Sequence, residues 1–360
     1  MGSIRTFLAI TVLLGHAYGW VFTGPVLAVQ VFYLISGFLI SFVLTETGRY
    51  DRVANFYLNR FLRLFPVYWV VAFGSLISLV IAEMMLGIGT PAFDVFREID
   101  LTGRVALILS NLFLFGQDWI MFTAVQEGAF QFSADYKDSE IPVWQGLLVP
   151  PAWTLGVELS FYLLAPFVLF HRKWILGLLL ASIALRFALV AFGPGLQDPW
   201  NYRFFPTELA LFLAGAISHQ FLTPWLKGKG FLSKNSAVLI TLLALASCIC
   251  FAYFPLRQVS SVLFLIFIAA VLPFLFQFQR HFRWDRRIGE LSYPIYIVHW
   301  PILYPVSWLW DQALETEGYA GLDETLVVIL LSLIAAILLN RYVAEPVEVY
   351  RKAVKARRSN

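Results

Sequence analysis

Arg5 and His16 bracket a stretch, RTFLAITVLLGH, that carries no other charge. Eleven residues at about 100° each come within roughly 20° of three whole turns, so on a helix the two side chains share one face, with Ala9 and Val12 between them. The rise of about 16 Å puts Arg5 at one membrane surface and His16 past mid-depth. Ionisable groups are costly at that depth and face a protein interior or a wet cavity. An imidazole there is either a neutral link between helices or a group for acid–base chemistry.

Five further stretches carry residues of the same kind. VFYLISGFLIS, residues 31–41, holds Ser36 and Gly37, small enough to let a helix or a ligand approach the backbone. NRFLRLFPVYW places Arg60 and Arg63 three apart at a helix start, where forked guanidinium groups suit phosphate oxygens or simply anchor the helix at the cytoplasmic face. PAWTLGVELSFYLLAP puts Glu158 inside an apolar helix. A carboxylate there needs an Arg or His partner, or else a proton. If it faces His16 across the bundle, it can orient the imidazole. LSYPIYIVHWPI sets Tyr293, Tyr296 and His299 near helical spacing, and NRYVAEPVEVY sets Arg341 and Glu345 at i,i+4, a spacing that predicts a local ion pair.

The elements that position these groups are apolar helices. The 360 residues are 59% hydrophobic and only 14% charged, with a mean hydropathy of +0.74, too little charge to cover a soluble globule. Runs at 4–22, 26–45, 65–87, 150–170, 174–193, 204–222, 236–254, 259–278, 290–310 and 324–344 read as membrane spans. The first lacks a charged n-region and an A-x-A site, so it reads as a permanent span. A further run, 104–122, is decided by charge. With ten spans and a cytoplasmic N-terminus, 18 basic residues fall inside and only Arg97, Arg104, Lys137, Arg203 and Arg257 outside. Letting 104–122 cross would turn the clusters at 280–287 and 351–358 outward. The expectation is an all-α bundle of about ten transmembrane helices, both termini cytoplasmic, with 104–122 re-entrant or interfacial.

Cys248 and Cys250 lie in an apolar run and read as inert thiols, and no set of His or Cys has metal-ligand spacing. The ending YRKAVKARRSN reads as a basic tail on anionic lipid, with no nucleic-acid role. A buried His/Arg/Glu set also suits a proton-coupled transporter or a flippase of an envelope precursor, although no inverted repeat is visible. A structural subunit of a polysaccharide machine is a third option.

The order of these motifs resembles the acyltransferase 3 family: Arg5 with Ala9 and His16, FYLISGFLIS, Arg60-x-x-Arg63 before a proline, W-T-L-x-x-E, S-Y-x-x-Y-x-x-H-x-P and a closing E-P. The resemblance covers about residues 3–347, and implies a transmembrane acyltransferase domain over 1–347 followed by a basic cytoplasmic tail, 348–360. It implies a multi-pass inner-membrane enzyme that moves an acyl group, commonly acetyl from acetyl-CoA, to a hydroxyl of a cell-envelope or secreted glycan or glycolipid. No permanently bound cofactor or metal is implied. His16 takes the place of the family's essential histidine, with Glu158 as its catalytic partner. Arg5, Arg60, Arg63, Ser36 and Gly37 fall to the acyl donor, and Trp153, Tyr296, His299 and Glu345 to the rest of the pocket. Two departures are expected to matter. The leader before Arg5 is short, and there is no appended SGNH hydrolase-like domain.

Overall fold

The computed structural model describes residues 1–19, 21–46, 52–314 and 321–358. Helices α1 (Gly2–Ala17), α2 (Gly24–Thr45) and α3 (Val53–Met85) come first, then two short helices, α4 (Pro91–Glu98) and α5 (Leu101–Phe113). A one-turn helix, α6 (Gln117–Ile120), leads into an antiparallel hairpin, β1 (Thr123–Gln126) and β2 (Ala129–Phe132), in register Thr123 to Phe132. The bundle resumes with α7 (Trp153–Val168), α8 (Arg172–Phe192) and α9 (Phe205–Ile217). A π-helical turn, Ser218–Leu222, joins α9 to α10 (Thr223–Gly228). The rest is α11 (Lys234–Cys250), α12 (Arg257–His281), α13 (Arg283–Glu290), α14 (Ser292–Leu314), α15 (Leu322–Leu339) and, after a second π turn, α16 (Glu345–Arg358).

All ten runs expected to span are helical. Among the described residues, eight helices are long and apolar enough to cross a bilayer. The other two depart for visible reasons. Helix α1 has 16 residues, a rise of about 24 Å, short of a hydrocarbon core of about 30 Å. Helix α14 is 23 residues long but carries Ser292, His299, Ser307 and Asp311 with two internal prolines. These two shorter or more polar helices pack against each other and carry His16 and His299, the two histidines of the site below.

The segments expected to lie inside meet at one end of the bundle. Asp285 on α13 accepts from the backbone N–H of Gly2 (2.8 Å) and of Ser3 (2.8 Å), capping α1 from another helix. Arg351 reaches Asn59 (2.7 Å), Lys234 lies over the Phe282 ring (5.5 Å) and Arg172 over the Phe221 ring (4.9 Å). That clustering requires 104–122 not to cross, and α5 shows how it avoids crossing. It has 13 residues and an apolar outward face, with Leu101, Ile108 and Leu112 exposed. Arg97 before it pairs with Glu83 near the end of α3, while its last turn meets the middle of α3. There Tyr68 donates to the Asn111 carbonyl (2.7 Å) and Trp69 to that of Leu112 (2.9 Å). Helix α5 therefore runs back along α3, and the chain returns through α6, whose Gln117 donates to the Tyr68 hydroxyl (2.9 Å). The segment is re-entrant.

A non-helical return among apolar helices needs its backbone paired. Asn111 does this with both ends of its amide: Nδ2 donates to the Gly146 carbonyl (3.0 Å) and Oδ1 accepts from Leu148 N–H (2.8 Å). Helices α2 and α9 pack closely because each presents glycine to the other. A Cβ on Gly37 would lie 1.9 Å from the Phe212 carbonyl oxygen, and one on Gly215 would lie 2.0 Å from that of Leu34.

Asn111→Ala strips two buried backbone groups of their partners and is expected to cost about 2–4 kcal/mol. Thermal unfolding of the detergent-solubilised protein measures this as a clear drop in midpoint. Replacement of the exposed Leu112 by Ala should leave the midpoint nearly unchanged.

Candidate active site

A cavity of about 90 Å³ opens between α1, α2, α3, α7 and α14. Three arginines line it: Arg5 from α1, and Arg60 and Arg63 from the first turns of α3. The α-helical start of α3 ahead of Pro66 puts the two α3 guanidinium groups on one side, as their i,i+3 spacing requires. Arg60 is 6% exposed, its charge lies over the rings of Phe56 (5.6 Å) and Tyr162 (5.8 Å), and its Nε is sealed with no hydrogen-bond partner. Nη2 of Arg60 donates to Asn59 (2.8 Å). Arg63 is exposed. Guanidinium groups set side by side in this way suit an anion of several oxygens.

Glu158 is the counter-charge. It projects from α7 into the same cavity, accepts from Ser36 Oγ (2.5 Å) and from the Tyr162 hydroxyl, and its charge acts on Arg5 together with that of Arg63. The structure therefore gathers Arg5, Ser36, Arg60, Arg63 and Glu158 in one place. It does not place Glu158 against His16. The reason is helical: α7 begins near the level of Tyr296, where Thr154 Oγ1 meets the Tyr296 hydroxyl (3.0 Å), and one further turn carries Glu158 toward the arginines.

His16 has a different partner. Its Nδ1 lies 2.9 Å from Nε2 of His299, and the indole of Trp300 stands edge-on to it, ring centres 5.3 Å apart. Tyr296 joins the two regions: it lines the cavity, and its ring is 6.0 Å from that of His299, one turn further along α14. Arg203 is near enough for its charge to act on the imidazole of His16. Arg203 is clamped by Asp198 (2.6 Å) and lies over the rings of Trp153 (4.3 Å) and Tyr202 (4.6 Å). The sequence offered Arg203 only as one of five basic residues in the outside segments. Nothing in its spacing marks it, because the chain brings it to His16 through the turn before α9.

Three further expected site residues lie outside the cavity. Gly37, one residue from Ser36, is rotated about 100° around α2 and faces the α9 backbone, so it holds helices together and does not line the cavity. Glu345 is exposed at the start of α16, where its carboxylate accepts from Asn340 (3.1 Å). The π turn Asn340–Ala344 breaks the α-helical register that i,i+4 pairing with Arg341 presumes. Trp153 sits under Arg203, outside the cavity wall. A second polar cluster, Ser41 Oγ to His219 Nδ1 (3.0 Å) and His219 Nε2 to Glu46 (3.0 Å), has the order of a hydrolytic triad. Ser41 is fully buried and does not line the cavity, so the cluster ties α2 to the π turn after α9. Among the described residues, no group of His, Cys, Asp and Glu is arranged to hold a metal ion.

Residues 3–341 match an acyltransferase domain family, acyltransferase 3. The chain belongs to that family. Acyltransferase 3 sequences are thus matched from before Arg5 to beyond the last apolar helix. Nodulation protein 10 of Rhizobium leguminosarum is 30% identical over 187 residues, 48% of this chain and 44% of the relative. A peptidoglycan O-acetyltransferase, OatA, of Listeria monocytogenes is 24% identical over 335 residues, 84% of this chain and 48% of the relative. An uncharacterized protein of Aquifex aeolicus is 27% identical over 167 residues, 45% of this chain and 72% of the relative. The chain spans less than half the length of the first two relatives. No solved structure matches.

The opposite faces of Ser36 and Gly37 give a paired test. Ser36→Ala removes one hydrogen bond to Glu158 and is expected to leave expression and thermal midpoint near wild type. Gly37→Val forces α2 and α9 apart and is expected to abolish folded protein, seen as loss of the monodisperse peak in size-exclusion chromatography. Equal behaviour of the two variants would contradict the assignment.

Proposed function

We propose that this acyltransferase 3 protein is a membrane O-acyltransferase that takes an acyl group, acetyl in the simplest case, from acyl-CoA and places it on a hydroxyl of a cell-envelope glycan. The observation that carries the reading is the nearness of two chemically distinct groups, bridged by Tyr296, which lines the cavity and whose ring is 6.0 Å from that of His299. The cavity holds three arginines and a single carboxylate, and beyond Tyr296 stands the imidazole pair. A CoA thioester is a polyanion on a long neutral arm, so its phosphates suit Arg5, Arg60 and Arg63 while the arm runs past Tyr296 toward His16. The matched relative named as a peptidoglycan O-acetyltransferase supports a glycan acceptor.

In this reading His16 Nε2 takes the proton of the acceptor hydroxyl as its oxygen attacks the thioester carbonyl. The carbon–sulfur bond breaks, and the thiolate leaves and is protonated to free CoA. An alternative order has Nε2 attack first, forming an acyl-imidazole that the hydroxyl then resolves. Both conserve the same products. Glu158 stands with the donor end, so its role is to orient Arg5 and to hold Ser36 and Tyr162, leaving the orientation of His16 to another residue. The multi-pass bundle would lie in the inner membrane with the arginine end facing the cytosol, where CoA resides.

Mass spectrometry of envelope glycans from a deletion strain tests the reading. Wild-type protein should restore the acyl mass increment, and His16→Ala should fail to, at equal membrane abundance. Full restoration by His16→Ala would overturn the mechanism. With purified protein, Arg60→Ala or Arg63→Ala should raise the half-saturating concentration of acetyl-CoA about tenfold, the effect of one lost charge-assisted contact.

A further inference from the structure

The pair of histidines contains its own instruction about which nitrogen reacts. His16 Nδ1 and His299 Nε2 are 2.9 Å apart, the ring planes differ by 11° and the ring centres are 5.1 Å apart. That centre-to-centre distance is close to the N···N distance plus two ring radii of about 1.1 Å, so the rings meet edge to edge along a linear hydrogen bond and are not stacked face to face. One proton lies between the two nitrogens. Its owner is decided at the far side of His299.

His299 is fully buried, and its Nδ1 is sealed from solvent without a well-aligned hydrogen bond. The backbone groups that act on this ring are those of Tyr296 and Ile295, one turn back on α14; with Nε2 taken by His16, Nδ1 is the nitrogen left to meet their carbonyls. A lone pair on Nδ1 would meet oxygen lone pairs there, whereas an N–H is attracted by them. A neutral imidazole has a single N–H. With that hydrogen on Nδ1, His299 Nε2 is a bare acceptor, His16 Nδ1 must donate to it, and His16 Nε2 is left bare. Among the described residues, that last nitrogen has no hydrogen-bond partner.

We propose that His299 is the positioning residue of this site: the carbonyls of its own helix fix its tautomer, and through it the tautomer of His16, whose Nε2 is held as the reacting lone pair. The catalytic meaning rests on the acyl-transfer reading above; the tautomer itself does not. When Nε2 accepts the hydroxyl proton, the Nδ1–H bond to His299 becomes charge-assisted and steadies the imidazolium. The other groups facing His16 are the Arg203 cation, which opposes that charge, and the uncharged Trp300; Tyr296 faces His299. A neutral imidazole also does the orienting work without adding a second ion beside an apolar core.

The direct test is imidazole nitrogen NMR on protein labelled with ¹⁵N-histidine in lipid nanodiscs. There are five histidines in the chain, so His16→Gln and His299→Gln assign the signals. The expected result is Nδ1 protonated and Nε2 bare on both rings; a protonated Nε2 on neutral His16 overturns the proposal even if the enzyme is active. A second test separates positioning from packing. His299→Phe should lower turnover about a hundredfold, the scale of general-base assistance, with half-saturating acetyl-CoA unchanged. His299→Gln, whose amide oxygen can replace Nε2 as acceptor, should recover most of that loss. Equal losses in both variants, or a shift confined to acetyl-CoA saturation, would overturn it. Absence of acyl transfer in wild type would count against the functional reading and leave the NMR result standing.

Discussion

Hydrocarbon offers a polar group nothing to bond, and nearly every polar choice in this protein answers that fact. The cost is met by partners drawn from other helices. Asp285 closes the start of α1 from α13, and Asn111 pairs two strands of irregular backbone. Glu208, fully buried on α9, is held by Arg186 from α8 and Gln30 from α2 (3.3 Å). Pairing is not complete among the described residues: Thr241 Oγ1 on α11 and Ser332 Oγ on α15 are buried without a partner, far from the site in sequence. What distinguishes Arg60 and His16 is therefore their position, one lining the cavity and the other paired through a single ring nitrogen with His299.

Much of this was legible in the chain. Apolar runs and the asymmetry of Lys and Arg were enough to predict an all-α membrane bundle and to deny 104–122 a crossing, because both signals are additive over many residues. The arginine end was legible as well. Arg60 and Arg63 sit on one short helical stretch, where spacing fixes direction, and Arg5 and Glu158 lie on spans whose order sets their depth. What spacing could not supply was the pairing of helices around their axes. Glu158 and His16 are both buried ionisable groups, and without the start level of α7 nothing says that a tyrosine and a serine, not the histidine, take the carboxylate. Arg203 was invisible for a related reason: a loop residue has no periodicity to say where it points. Glu345 shows the opposite failure, an i,i+4 rule applied across a π turn that the sequence does not announce.

The same neighbours explain how Ser36 and Gly37 divide the work of α2. One step along a helix turns the side chain through about 100°, enough to send a hydroxyl into the cavity and a bare Cα against α9. The close contact of α2 and α9 sets the width of the wall that carries Ser36, Tyr33 and Phe32. Site geometry and helix packing are therefore one problem here. A residue that lines nothing still decides the shape of what its neighbour lines.

Helix α5 has a consequence for the order of assembly. Thirteen residues are too few to be stitched into a bilayer as a span, and the turn that follows them cannot rest in lipid with its backbone bare. The hydrogen bonds that pair that backbone come from Tyr68 and Trp69 on α3, and from the tie between Asn111 and the stretch just ahead of α7. The segment can settle only after α3 and α7 stand side by side, some seventy residues of synthesis apart on the chain. The far wall of the bundle is thus closed last, by a piece that enters from one surface and leaves by the same surface.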